Sequence, residues 1–517
     1  MFKPAATGAG GLRQLAVRGA GVTVLSGGLT LSIQIVATMV LARLLTPKDF
    51  GLVTMVTTFS LLLMNFGLNG FTEAVVQREA IDNVLASNLF WINLSGGLLL
   101  TTGFAVAGSL LAWFYNDALV AGVAAVMSIT IFLTSASVLH LALLKRAMCF
   151  PLVSANDIVA RTVSVVVSIL LGLAGWGYWA LVAGAIALAA STCIGAWILC
   201  RWVPHLPRRG VVDIRPSVRF AISTYARFSI GYFTNNLDNI LIGWRLGPAA
   251  LGFYKKAYDL FVLPTSQLSS PLTIVAVSAL SRLQSDSIRY RRYLIGALGV
   301  MAFVGMGIGA DLTLVGKDLI FVLLGPKWGE SGRIFTFFGP GIGITLLYGT
   351  HQWIHLSIGR ADRWLRWGMV DLAVTALFLL VGLRWGPVGI ALAWVASSWI
   401  ITLPALWYAG RPINFGVSPV LAAVWKYIVA SLIAGCASAI LIRQMPYLLA
   451  ASGSFWAFAR LGVTSVLFGV LYLGVVILLH RGCAPLSHLA GLLRVMVSRD
   501  NSSPALGTTL TSDEDTI

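Results

Sequence analysis

The sequence predicts an all-α polytopic membrane protein of about fourteen transmembrane helices, arranged as two parallel-repeat six-helix lobes plus two extra helices. Three observations carry this prediction. Of 517 residues, 58% are hydrophobic and 11% charged, with a mean hydropathy of +0.86, values that a water-soluble domain would not sustain without aggregating. The apolar stretches are long and continuous: Ala118 to Leu144 and Leu461 to Leu479 contain no Asp, Glu, Lys or Arg, whereas the strands of a membrane barrel are short and alternate apolar with polar. Finally, the Lys and Arg content of successive connections alternates between high and low. With no water in the hydrocarbon, backbone groups must be satisfied within each segment, so long apolar runs become helices.

Taken in order, the helices are expected to begin near Val22, Phe50, Leu85, Leu119, Leu152 and Trp179 in a first lobe spanning 1–200. Residues 201–219, with Pro204, Pro207, Pro216 and five arginines, read as an exposed basic linker on the cytoplasmic side. A second lobe over 220–410 has helices starting near Phe220, Leu260, Leu294, Ile334, Leu365 and Val388, and residues 411–482 add two more from Val424 and Phe455. Within 483–517, Leu486 to Val497 suits a short interfacial helix, and the remainder, rich in Ser, Thr, Asp and Glu, reads as a disordered cytoplasmic tail. The first twenty residues lack an apolar signal core, so the first hydrophobic run is expected to stay as a membrane anchor.

Two pairs of stretches support the division into lobes. LARLLTPKDFGL from Leu41 resembles IGWRLGPAALGF from Ile242, with Leu45, Pro47 and Gly51 matching Leu246, Pro248 and Gly252 at an offset of 201. GWGYWALVAG from Gly175 resembles RWGPVGIALA from Arg384 at an offset of 209. Same order and nearly equal offset argue for an internal repeat of six helices.

Of the 36 basic residues, 23 fall in the termini and even-numbered connections and ten in the odd-numbered ones. Basic residues near helix ends are retained in the cytoplasm, which places both termini inside. The formal charge of +17 is thus mainly a topology signal; there is no soluble basic domain to bind nucleic acid, and the partner it implies is the lipid bilayer. The five scattered cysteines have no CxxC spacing, so neither a disulfide framework nor a zinc site is indicated. No connection exceeds about twenty residues, so no soluble catalytic domain can be built and an enzyme is not expected. No cofactor is implied.

Charges inside spans are costly and tend to face a bundle interior or an aqueous cavity. In the seventh span Arg227, Asn235 and Asp238 are separated by eight and eleven residues, which puts them on one stripe of a continuous helix. The repeat offset maps Asn235 onto Gln34, whose helix also carries Thr30 and Thr38. Asp157 and Arg161 are four apart on the fifth span, as for an internal ion pair. Each of these groups suits either static helix packing or the wall of a shared central cavity. His351 and His355 have metal-helix spacing, but HQWIH puts Gln352 where a zinc hydrolase needs its Glu, and ordinary packing is favoured. Glu73, Asp259, Asp311 and Asp371 read as caps or interface groups near span ends.

The stretches LARLLTPKDFGLVTMV, DNILIGWRLGPAALGFYKKAYDL and SALSRLQSD, from Ser278, resemble the polysaccharide transporter family of the multidrug, oligosaccharidyl-lipid and polysaccharide flippase superfamily. The resemblance runs from about Val22 to Arg481. It implies translocation of a lipid-linked oligosaccharide, usually on undecaprenyl diphosphate, across a bacterial inner membrane for exopolysaccharide or lipopolysaccharide export. It also implies a polysaccharide polymerase and export machinery as partners. Arg161 and Arg227 then become candidates to meet the diphosphate, and Asp238, Asn235 and Gln34 to meet a coupling cation or sugar hydroxyls. A multidrug or small-solute antiporter on the same fold is the alternative within transport, and a membrane glycosyltransferase or polymerase the alternative outside it.

Overall fold

The computed structural model describes residues 9–77, 82–207, 222, 225, 228–447 and 453–482, and these contain helices and no strands. The first half comprises α1 (Ala9–Leu44), α2 (Pro47–Gln77), α3 (Asn83–Tyr115), α4 (Leu119–Met127), α5 (Ile129–Arg146), α6 (Phe150–Leu173) and α7 (Tyr178–Cys200). In the second half a helical stretch over residues 228–234 precedes α8 (Leu237–Arg282), α9 (Ser287–Leu324), α10 (Gly329–Phe338), α11 (Gly341–Ser357), α12 (Ala361–Gly382) and α13 (Gly386–Gly410). Then come α14 (Ser418–Arg443) and α15 (Ser454–His480). Ten of the described helical stretches are long and apolar enough to cross a membrane. One of these, Asp362–Ile413, holds both α12 and α13. Adding α2, the α10–α11 pair and the segment before the sharp turn at Gly247 gives the expected fourteen crossings among the described residues.

Helix ends follow local chemistry. Asp82 caps α3 by accepting the Leu85 N–H at 2.8 Å, and Asn116, at φ 52°, ends it in the left-handed conformation. Asp286 caps α9 through the Ile288 and Arg289 amides. Gly177, before α7, and Gly386, at the start of α13, which stand 209 residues apart, adopt φ/ψ of 54°/−132° and 69°/−157°, values open to glycine alone at little cost.

The apolar cores are distributed unevenly along the membrane normal. At the face opposite the basic connections, one core joins both halves: Leu41, Phe50, Met55 and Tyr115 share it with Leu251, Tyr254, Trp328 and Phe338. At its centre the repeated motifs meet each other. A Cβ on Gly51 would collide with the Pro248 carbonyl, and one on Gly252 with the Pro47 carbonyl, so two bare Cα atoms let α2 and α8 cross at backbone contact. The Trp328 indole donates to the Ala42 carbonyl at 2.8 Å across the same junction. At the basic face the cores formed by the described residues are separate, one around Phe90, Leu139 and Trp202 and another around Leu280, Leu294, Ile354 and Val424.

Helices α14 and α15 pack on each other and on α9. Arg460 is held by Asp318 at 2.7 Å, Ser465 donates to Asp311 at 3.0 Å, and the Tyr472 hydroxyl donates to the Phe303 carbonyl at 2.7 Å. The beginning of the expected linker is not free. Residues 201–207 fold back over the first half, with Trp202 buried and donating to Asn83 Oδ1 at 2.8 Å, and the His205 amide donating to Ser87 at 3.0 Å; an indole this size is better placed against Phe90 and His140 than in water. The tail over 483–517 lies outside the described residues, as does most of the linker.

Candidate functional site

Residues 228–236, α8, α11, α12 and α13 enclose a cavity of about 1040 Å³ in the second half. Its wall is built from two facing stripes. Tyr348, His351 and Gln352 recur at three- and four-residue spacing on α11, and Trp364, Trp367 and Asp371 do so on α12, so each trio shares one helix face. Asn235, Asn236, Ser266, Ser269, Phe228, Tyr232 and Trp394 are among the other lining residues.

A hydrogen-bond network fixes the α11–α12 wall. The Tyr348 hydroxyl donates to Asp371 Oδ2 at 2.7 Å, Thr375 donates to Oδ1 at 3.2 Å, and the Trp367 indole donates to the Tyr348 oxygen at 3.2 Å. His351 Nδ1 donates to the Tyr348 carbonyl, which leaves Nε2 without a partner among the described residues. One turn on, His355 is fully buried with neither ring nitrogen hydrogen-bonded to a described residue, its ring 6.0 Å from that of His351. Among the described residues no cluster of three His, Cys, Asp or Glu side chains forms around this pair or elsewhere.

The sequence-predicted residues separate in space. Asn235 lines the cavity, its amide donating to the Gly231 carbonyl at 2.8 Å. Residues 235–236 form a turn, with Asn236 at φ −133° and ψ 3°, and the helix restarts at Leu237. The 3.6-residue phase is lost there, so Asp238 does not continue the stripe of Asn235. It is buried at 1% exposure, accepting the Tyr254 hydroxyl at 2.6 Å and the Asn239 amide at 2.8 Å. Arg227 lies outside the described residues.

Arg161 and Asp157 form the expected pair on α6, Arg161 Nε reaching the two carboxylate oxygens at 3.1 and 3.0 Å. Both side chains are partly exposed, at 38% and 47%, and the terminal nitrogens of Arg161 have no protein partner among the described residues. Gln34 is exposed on α1. Gly172 of α6 abuts Leu41 and Leu44 of α1, so Gln34 and Arg161, ten or eleven residues before that contact, sit at similar depth. Lys255 and Asp259, paired at 2.9 Å and also partly exposed, add to the polar surface at membrane depth on α8. In a membrane such groups tend to face a bundle interior or an aqueous cavity.

Sequence reasoning did not find Tyr348, Gln352, Trp364 and Trp367, and it read Asp371 as an interface group. The signal was present as two polar-aromatic stripes of helical period, which become informative only once α11 and α12 are known to face each other.

A family model described as polysaccharide biosynthesis protein matches residues 40–333. The succinoglycan biosynthesis transport protein of Rhizobium meliloti (strain 1021) is 23% identical over 394 residues, covering 75% of this chain and 78% of that protein. The teichuronic acid biosynthesis protein of Bacillus subtilis (strain 168) is 24% identical over 379 residues, covering 72% and 76%. Among solved structures, the lipid II flippase MurJ in an inward closed conformation superposes with a TM-score of 0.71 at 13% identity, over 90% of this chain and 99% of that one. An inward-facing multidrug resistance MATE family transporter gives 0.58 at 13% identity, over 74% and 94%. The structural likenesses establish a shared fold.

Proposed function

Since the chain belongs to the polysaccharide biosynthesis protein family, we propose that it is an inner-membrane flippase, not an enzyme, which moves an oligosaccharide repeat unit linked to undecaprenyl diphosphate from the cytoplasmic to the periplasmic leaflet. The observation that supports this reading is the uneven core: among the described residues, one core spans both halves at one face and separate cores lie at the basic face. A cleft between them admits a sugar-diphosphate headgroup that hydrocarbon excludes, while the lipid tail remains in the bilayer. The excess of basic connections supports an orientation with both termini and the open end of the cleft in the cytoplasm.

Within the cleft, Arg161 offers its terminal N–H groups to phosphate oxygens while Asp157 holds Nε and orients the fork. Arg227 is the second candidate for the diphosphate, and Asn235 and Gln34 are candidates for sugar hydroxyls. Asp238, engaged by Tyr254, acts by stiffening the bend between the seventh and eighth crossings. The names of the two relatives, a succinoglycan biosynthesis transport protein and a teichuronic acid biosynthesis protein, support a polysaccharide as the product; a polymerase and export machinery are the partners this reading expects downstream.

Deleting the protein is expected to stop export of one surface polysaccharide and to leave lipid-linked repeat units in the inner leaflet, measured by extracting lipid-linked intermediates from spheroplasts. Loss of their synthesis, without accumulation or shortage of carrier lipid, would replace the flippase with an enzyme.

A further inference from the structure

The cavity between α8, α11 and α12 has a chemistry of its own, and we infer that it is a sugar-recognition subsite, distinct from the place where the diphosphate is held. This inference rests on the flippase reading and names what one part of the substrate binds to.

The lining argues for a neutral, hydroxyl-rich guest. Among the described residues it contains one carboxylate, Asp371, and no Lys or Arg, so this described wall offers a diphosphate like charge. Hydrogen-bonding capacity is left over. Among the described residues, Gln352 has neither end of its amide engaged, Asn235 keeps its carbonyl oxygen and His351 its Nε2. Each Asp371 oxygen accepts a single protein hydrogen bond, against the two or so that a carboxylate oxygen can take. Donors, acceptors and groups able to be either thus converge on one space, which matches hydroxyls that both donate and accept.

Aromatic rings supply the other half of the match. Trp364 and Trp394 are half-buried in the wall, and an indole presents a flat apolar surface beside polar groups, suited to the C–H face of a pyranose. The volume, about 1040 Å³, is that of a small-molecule site. The wall is also held in place before any guest arrives, because Asp371 is fixed by Tyr348 and Thr375, and Tyr348 in turn by Trp367. In the sequence, the lining residue Phe228 directly follows the diphosphate candidate Arg227.

The test uses the full chain in proteoliposomes with two substrates, undecaprenyl diphosphate carrying the complete repeat unit and the same lipid carrying only the first sugar. The readout is the ratio of their initial transport rates, which does not depend on how much protein has folded. Wild type is expected to favour the complete unit by about tenfold or more, the discrimination expected when one or more uncharged hydrogen bonds are missing from the shorter substrate. Gln352→Leu on α11 and Trp364→Leu on α12 should each bring the ratio close to one. A wild-type ratio near one, or a ratio that both variants preserve, overturns the subsite while leaving the flippase intact. Transport of neither substrate by wild type overturns the flippase reading and the subsite with it.

Discussion

At the turn between α1 and α2, Thr46 and Asp49 cap each other: Asp49 Oδ2 accepts the Thr46 N–H at 2.8 Å and its hydroxyl at 2.6 Å. The equivalent turn in the second half has Gly247 and Ala250 at those places, and the chain bends instead through Gly247 at φ 82° and ψ 179°. A side-chain cap and a glycine conformation are interchangeable ways of turning the chain. What both copies share is the proline and the glycine four residues on, because Gly51 and Gly252 lie against each other's prolines at the junction of the halves. Local turn chemistry varies between the copies, then, while the geometry of the inter-half contact does not.

Substitution at the shared position should have the largest effect. Gly51→Leu and Gly252→Leu drive a side chain into a facing backbone, an overpacking that neither helix can relieve by changing rotamers. Each should lower export more than tenfold. In Gly252→Leu, a cysteine replacing Met55, which is fully buried in wild type, should become reactive to a membrane-impermeant maleimide added from the periplasm. Normal export with an unreactive cysteine would show that the junction need not be tight.

An intermediate effect separates the two turns. Gly247→Ala places a Cβ in a conformation that costs about 1–3 kcal/mol outside glycine, whereas Asp49→Ala loses a cap worth about 1 kcal/mol. Thermal unfolding in detergent should rank Gly247→Ala as the more damaging. The reverse order would mean that the Thr46–Asp49 cap also carries the contact to Gly177, where Asp49 is a neighbour.

The smallest effect compares the polar positions that the repeat pairs, Asn235 and Gln34. Asn235→Ala removes a cavity-lining amide and should reduce transport several-fold. Gln34→Ala, on an exposed face of α1, should reduce it less. Equal losses in a rate assay would argue that both halves grip the headgroup alike.

Most helix starts expected from hydropathy fall within a few residues of the observed ones, since bilayer thickness fixes span length; Val22 lies inside a helix that begins at Ala9, the helix expected from Leu260 resumes right after Gly247, and Phe220 lies outside the described residues. The paired motifs were also legible, because backbone contact between helices tolerates only the smallest residue. The cavity was not, because Tyr348 and Asp371 are 23 residues apart in the chain and 2.7 Å apart in space, and a reading made span by span has no access to that convergence. The stripe through Asn235 and Asp238 failed for a different reason. Its arithmetic assumes an unbroken helix, and the turn at residues 235–236 resets the phase.

The junction also sets a schedule for biosynthesis. Gly51 leaves the ribosome 201 residues ahead of the glycine it will meet, an interval of about 10–40 s at ordinary elongation rates. Throughout that time the face of α2 around Phe50 and Met55 has no α8 to cover it. The nascent first half must hold its shape with internal contacts alone, such as Asn156 donating to the Thr192 carbonyl at 3.2 Å and Ser164 donating to the Gly184 carbonyl at 2.7 Å between α6 and α7. It then serves as the template on which the second half docks as it emerges.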